Sequence, residues 1–396
     1  MQRLAGTSLS SRDANDLLGN TLVTFDLVQE PFSARSIAYT RTLLRLFFVT
    51  LRAFTIGQNL ADGGGGPGGR DTKRDQVPIT QTVLSLLDRV VARGFRTLVG
   101  FIHDTDARVV VPEDLALLTA ILQACLCVPD MEQSQTPILN IMATHDTPRV
   151  ASSLFSWCDK VTVDGDPIYG ELSLLFLVEL SKLPVVAEQL ACDGILGNMM
   201  AANIIKYMQR SNNTISPLAE NQVAQRCYGI WTKGILLLLL NLLTAMGSTI
   251  APEVAYVLNQ FPHLLRASID GLEPPGVNRT AQQDQARYVT LLAVSELHSL
   301  ALLVRIIGAL RMNNTRDIAE VSWDAPAVLE NVEFWLSTRR LLRERLLPMG
   351  PREQDWAGLP TGRMNPDGQP ETKLEERTIC QLEAVRDVLM DEEGNE

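Results

Sequence analysis

Apolar residues recur at helical spacing along most of the chain, and the clearest example runs from residue 166 to residue 210. Leu172 and Phe176 lie four residues apart and therefore share one helical face. Pro184 and Gly194 interrupt the pattern at positions where short helices begin and end. The stretch therefore predicts three short helices joined by tight turns, each with an apolar face to bury.

The rest of the sequence predicts further helices of the same kind, many of them with a proline near the first residue. The spacing of these prolines varies from 17 to 74 residues, so no strict repeat length is present. A helix followed by a short helix that ends in Asp-Gly is similar to an armadillo unit, which needs stacked neighbours. We therefore predict an all-α fold, a right-handed superhelical solenoid of degenerate armadillo- or HEAT-like repeats.

Composition along the chain predicts three parts. Residues 1–347 form the α-solenoid, with a flexible glycine-rich loop at 57–78. Residues 348–370, rich in proline and glycine, form a linker. Residues 371–396 form an amphipathic helix and an acidic tail, which we expect to pack on the end of the solenoid. The apolar face of that last helix carries Ile379, Leu382, Val385 and Leu389.

Residues 235–246 read ILLLLLNLLTAM and raise the question of a membrane span. These 12 residues would extend about 18 Å as a helix. The hydrocarbon core of a bilayer is about 30 Å thick. We therefore predict a helix that is buried on all sides within the solenoid, with no direct membrane span.

The chain carries a formal net charge of −11, which argues against nucleic acid as a main ligand. Residues 371–396 contain nine acidic and three basic side chains, so they supply −6 of this charge. Aromatic residues make up only 6% of the sequence, which favours packed helices over a sheet-rich fold.

The six cysteines are scattered, and the first residues lack the apolar segment of a signal peptide. We therefore expect reduced thiols in a cytosolic or nuclear protein.

Two His-Asp pairs, His103-Asp104 and His145-Asp146, suggest a possible catalytic site. Some all-helical metal-dependent phosphohydrolases use such residues to hold divalent metals that activate water. Both pairs stand among turn residues, where aspartate more often serves as a cap. We therefore predict that the protein is not an enzyme and has no metal or cofactor. The phosphohydrolase is kept as the alternative.

Arginines cluster at the end of a single helix predicted from 326 to 347, and others form a stripe in a helix predicted from 33 to 53. Basic residues in a last helical turn complement the helix dipole, so capping and solvation are one interpretation. The other is a basic docking patch for an acidic segment of a partner. The candidate partner-binding residues are Arg339, Arg340, Arg343, Arg41 and Arg45.

Three stretches, 25–54, 166–210 and 322–347, resemble the C-terminal tail of the large scaffold nucleoporins of the nuclear pore's inner ring. The likeness is to the fungal-type 188-kDa class, whose architecture the sister 192-kDa class shares. It depends on the order and character of the helices, since no short diagnostic motif is present. Proteins of this family are several times longer than this chain, so the resemblance implies a fragment.

The resemblance implies a solenoid similar in shape to nuclear transport receptors and a non-catalytic scaffold role in the inner ring. The implied partners are short helical segments of linker nucleoporins, with FG repeats or transport receptors as further partners. The implied location is the nuclear pore complex at the nuclear envelope, and we expect the fragment to be monomeric. No function of an individual residue follows from the resemblance.

Overall fold

The computed structural model describes residues 9–62, 79–104, 109–210, 214–275, 288–314, 317–364 and 370–390. Most of these residues are helical, and the named strands among them form one two-stranded sheet. The all-α class predicted from the sequence is therefore confirmed. The chain divides into two compact units, 1–199 and 200–396, and each buries apolar side chains of its own.

The first unit is built from ten α-helices among the described residues. A π-helical turn, Leu87–Ala92, connects the third and fourth helices, so the chain stays helical from one to the other. The helices are α1 (Ser11–Asp26), α2 (Ile37–Asp62), α3 (Ile79–Leu86), α4 (Arg93–His103), α5 (Pro112–Leu126), α6 (Gln135–Thr144), α7 (Thr147–Ser156), α8 (Ile168–Ser181), α9 (Pro184–Cys192) and α10 (Ile195–Met200), which ends at the unit boundary. The connections α6–α7, α8–α9 and α9–α10 contain two residues each.

The core of the first unit lies where α5 contacts both α2 and α8. Phe47 of α2, Phe95 of α4 and Phe176 of α8 are completely buried. The rings of Phe95 and Phe176 stack with their centroids 4.0 Å apart. Removal of such large apolar side chains from water is the main favourable contribution to folding of the unit.

The second unit begins with α11 (Asn203–Met208), and its helices surround the long helix α16 (Leu291–Asn314). This helix packs against α13 (Leu236–Met246) and α20 (Lys373–Met390), and α20 also contacts α17 (Ala325–Ser337). The remaining elements are α12 (Gln222–Gly229), α14 (Ala251–Asn259), α15 (Pro262–Asp270), α18 (Arg339–Arg345), α19 (Pro351–Ala357), β1 (Pro360–Met364) and β2 (Pro370–Thr372).

The stretch 166–210 contains α8 and α9 as predicted, but two short helices replace the single third helix. Gly194 separates α9 from α10 with a φ of 70°, a conformation that favours glycine. Ala202 separates α10 from α11 with an extended backbone at ψ 145°. Alanine is a strong helix former, and Ala202 is buried. Tertiary packing therefore overrides local propensity at this position.

The uncharged apolar run forms part of one continuous helical stretch, Gln222–Thr249, with a π-helical turn at Ile230–Ile235 between α12 and α13. By length and composition alone, this stretch and Leu291–Asn313 could each cross a membrane. The bent pair Pro112–Leu126 and Met131–Thr144 would count as a third. Within the second unit, 61% of the most apolar window of the first stretch is buried. Protein packing therefore covers much of this apolar surface.

Of the linker expected at residues 348–370, the described residues 348–364 and 370 contain a helix and strands, and residues 365–369 lie outside the described part of the chain. Pro351 begins α19, because its fixed φ suits the first position of a helix. β1 and β2 then pair in an antiparallel hairpin. The guanidinium groups of Arg352 and Arg377 both lie over the Trp356 ring, with their central carbons 4.8 Å and 4.0 Å from its centroid. The contact of Arg377 with Trp356 joins α20 to α19, whereas that of Arg352 lies within α19.

Two predicted helix boundaries also change. Residues 57–62 of the expected glycine-rich loop continue α2, and residues 63–78 lie outside the described part of the chain. The single helix predicted from 326 to 347 breaks at Thr338, between α17 and α18. The hydroxyls of Ser337 and Thr338 both donate to the carbonyl oxygen of Phe334. Such side-chain bonds offer the backbone an alternative to continuing the helix.

Substitution of Leu382 by alanine should destabilise the second unit, because this side chain of α20 is completely buried. The expected loss in free energy of unfolding is about 2–5 kcal/mol. Met390→Ala on the same helix alters a residue that is 45% exposed. That control should change the free energy by less than about 1 kcal/mol. Urea denaturation followed by circular dichroism measures both, and equal losses would contradict the packing of α20.

Candidate functional site

The two His-Asp pairs lie at helix ends in the first unit. His103 is the last residue of α4 and Asp104 its C-cap, whereas Asp146 is the N-cap of α7. The Nε2 atom of His145 lies 2.7 Å from Oδ1 of Asp88, and burial lowers the pKa of His103. Among the described residues, no group of three or more His, Cys, Asp or Glu side chains could hold a metal ion. This geometry gives the phosphohydrolase alternative no support.

Arg41, a predicted partner-binding residue, forms an internal ion pair. Its Nε and Nη2 atoms donate to the two carboxylate oxygens of Asp114 at 2.6 Å and 2.8 Å. Nη2 also donates to the carbonyl oxygen of Val109 at 3.1 Å. The hydrogen bond to Asp114 raises the pKa of Arg41. Arg41 therefore links α2 to α5, while Arg45, one turn later on α2, is exposed.

Arg343 likewise forms an internal ion pair in the second unit. Its Nε and Nη2 atoms donate to the Oε2 and Oε1 atoms of Glu375 at 3.2 Å and 3.3 Å. The Glu375 side chain is completely buried, and that of Arg343 is 22% exposed. The pair joins α18 to α20. The guanidinium group of Arg343 therefore stabilises the packing of these two helices, although Arg343 also belongs to the predicted partner-binding arginines.

Arg339 and Arg340 lie at the surface beside Arg343. The Nη2 atom of Arg339 is 3.6 Å from Oε1 of Glu383, and Nε of Arg340 is 3.3 Å from Oε1 of Glu344. Their side chains are 38% and 81% exposed. Surface pairs of this kind contribute little to stability, so both guanidinium groups can exchange partners.

These three arginines line one surface cavity of about 640 Å³ at the break between α17 and α18. Leu336 and Leu341 add apolar surface to the same cavity. Residues on both sides of the break line this cavity, since Leu336 belongs to α17 and the three arginines to α18. The structure thus brings together Arg339, Arg340 and Arg343, whereas Arg41 and Arg45 belong to the first unit.

The predictions from the sequence did not include Asp114 and Glu375, the buried acidic partners of Arg41 and Arg343. Glu375 precedes Ile379 and Leu382 by four and seven residues, so it stands on the apolar face of α20. Asp114 precedes Leu118 and Ile121 by the same intervals on α5. An acidic residue within an apolar helical face is the signal that indicates a buried carboxylate, which needs protein donors in place of water.

Residues 17–389 match the family model described as the nuclear pore protein NUP188 C-terminal domain. The chain belongs to this family. The match covers both units, and it decides between the two sister classes in favour of the 188-kDa class. The predicted location at the nuclear pore complex of the nuclear envelope is confirmed by this membership.

Curated relatives from three fungi agree with the family match. Nucleoporin NUP188 of Chaetomium thermophilum is 47% identical over 423 aligned positions, which cover 98% of this chain and 22% of that protein. Nucleoporin nup184 of Schizosaccharomyces pombe is 29% identical over 35% of this chain and 9% of its own length. NUP188 of Saccharomyces cerevisiae is 22% identical over 50% of this chain and 11% of its own length. The chain thus spans about a fifth of the first relative and less of the others.

A solved structure supports the fold. A Nup188 fragment from Myceliophthora thermophila superposes with a TM-score of 0.82 at 52% sequence identity. The alignment covers 96% of this chain and 100% of that fragment. The predicted assignment to an α-helical solenoid is confirmed by this likeness.

Replacement of Arg343 by methionine should destabilise the second unit more than replacement of an arginine at its surface. The change leaves the buried Glu375 carboxylate without its cation, at an expected cost of roughly 2–4 kcal/mol in free energy of unfolding. Arg340→Met removes a side chain that is 81% exposed and should cost less than about 1 kcal/mol. Urea denaturation of the two variants tests this. Equal stabilities would show that the Arg343–Glu375 pair does not hold α18 to α20.

Proposed function

We propose that this chain is a non-catalytic structural segment of the nuclear pore inner ring that holds other nucleoporins by binding their short helical segments. The observation that carries the proposal is the family match over residues 17–389, together with the superposition on a Nup188 fragment. Stacked helices offer long surfaces for peptide segments, which suits a scaffold. FG repeats and transport receptors are further partners within the same proposal.

The arginine-lined cavity at the break between α17 and α18 is our proposed partner-binding site. Exposed guanidinium groups bind carboxylates through paired hydrogen bonds, and the two leucines of the cavity supply apolar contact. A helical segment with one apolar face and acidic residues beside it matches this combination. Arg339 and Arg340 would exchange Glu383 and Glu344 for carboxylates of the partner.

A non-catalytic role also agrees with the placement of the His-Asp pairs. Asp104 and Asp146 occupy helix-end positions, and His145 contacts Asp88 on the π-helical turn. No observation on the described residues favours the metal-dependent phosphohydrolase.

Charge reversal at Arg339 and Arg340 together should weaken binding of acidic helical peptides from linker nucleoporins. We expect at least a tenfold loss of affinity, and the affinity of the unaltered chain should fall as salt is raised, because screening weakens exposed charge pairs. Fluorescence anisotropy with labelled peptides measures both effects. The matched control is the Arg266→Glu, Arg311→Glu double variant, which makes the same change at two other exposed arginines of the second unit.

The control variant should bind the peptides as tightly as the unaltered chain. Equal loss in both double variants would mean that net charge, rather than the cavity, determines binding. If no linker-nucleoporin peptide binds the unaltered chain, the proposed partner class is wrong. Light scattering on the same samples tests the expected monomer.

A further inference from the structure

Glu296 of α16 is buried in the second unit and bonded to two neutral donors. The Tyr228 hydroxyl donates to its Oε2 atom at 2.5 Å, and Nε1 of Trp231 donates to its Oε1 atom at 2.7 Å. The residue is only 3% exposed. Leu300 and Leu303 follow it by four and seven residues, so Glu296 stands on the apolar face of its helix.

The charge of Glu296 is incompletely compensated by these neighbours. A carboxylate offers about four acceptor positions, and two donors occupy only part of them. The ion pairs found among the described residues involve acids other than Glu296. The buried carboxylates Asp114 and Glu375, for example, pair with Arg41 and Arg343. Burial raises the pKa of Glu296 to about 7, and the hydrogen bonds from Tyr228 and Trp231 offset only part of that effect.

Glu296 also borders a cavity of about 370 Å³. That volume falls within the range of small-molecule sites, about 300–1,000 Å³. Ile215 and Leu264 contribute apolar walls, and Tyr228, which donates to the Glu296 carboxylate, is also a lining residue. Leu218 and Tyr288 belong to the lining and are each 43% exposed, so the cavity reaches the surface next to them.

We propose that this cavity binds a single alkylguanidinium or alkylammonium group, with Glu296 as its counter-ion. The Ile215 and Leu264 walls contact the aliphatic stem, and the cation lies against the oxygens of Glu296. Aromatic surface from Tyr228 and Tyr288 suits a cation, since the faces of tyrosine rings attract positive charge. The site does not depend on the proposed scaffold role or on the arginine-lined cavity.

A cation fits this cavity better than an anion or a neutral group. An anion would meet a buried carboxylate, and exposed Asp270 places a second carboxyl group in the lining. A neutral apolar ligand would leave the charge of Glu296 as poorly compensated as before. A guanidinium or ammonium group supplies both the missing charge and further donors. Such a group can come from a basic side chain of a bound protein or from a free small cation.

The test compares n-butylguanidinium with its neutral isostere n-butylurea in ligand-observed NMR titrations of the full chain. We expect the cation to bind at least tenfold more tightly than the urea, and Glu296→Gln to remove that preference. Glu253→Gln, the same change at an exposed glutamate of α14, should leave the preference intact. A capped Gly-Arg-Gly peptide in a further titration tells whether an arginine side chain enters from a peptide.

The proposal is overturned if the cation and the urea bind equally, or if Glu296→Gln binds the cation as tightly as the unaltered chain. Should Glu296→Gln fail to fold, Ala293→Phe takes its place. Ala293 lines the cavity, so a phenyl group there fills the space and leaves Glu296 unchanged. Loss of cation binding in a folded Ala293→Phe variant supports the site, and retained binding contradicts it.

Discussion

The burial of carboxylates within apolar helix faces is the constraint on which much of this structure depends. Asp114, Glu296 and Glu375 each stand where leucines and isoleucines of their own helix enter a core. A carboxylate that leaves water loses several kcal/mol of hydration free energy unless protein groups replace that water. Each of these acids therefore requires a hydrogen-bond donor or a positive charge on the neighbouring helix.

The chain meets this demand in two chemically different ways. Arg41 and Arg343 approach from adjacent helices and place two donors on both oxygens of their acid, which requires a defined distance and angle between the helices. Glu296 instead receives one neutral donor on each oxygen. The Arg41–Asp114 and Arg343–Glu375 pairs hold two helices together. The hydrogen bonds from Tyr228 and Trp231 to Glu296 carry no charge, so that carboxylate can still accept a cation.

Helical periodicity is sufficient to predict the all-α class and the α8–α9 pair, because apolar spacing and the prolines and glycines at helix ends act locally. The breaks at Ala202 and Thr338 are not predictable in this way. Alanine is a strong helix former, and a hydroxyl bond like that of Thr338 also occurs inside an uninterrupted helix, at Thr50 of α2. The same limit applies to the basic residues. Arg41 and Arg45 look alike in sequence, and only the position of Asp114 on another helix distinguishes them.

The π-helical turns at Leu87–Ala92 and Ile230–Ile235 give each unit a helix that stays continuous while the face it presents to its neighbours changes. A π turn holds more residues than an α turn, so side chains beyond it are rotated about the helix axis relative to those before it. Leu86 and Phe95, on either side of the first such turn, are both buried. One continuous helix can therefore contact neighbours on two different sides. A seven-residue apolar repeat that continued unchanged through the π turn would place the later apolar residues on the wrong side of the helix.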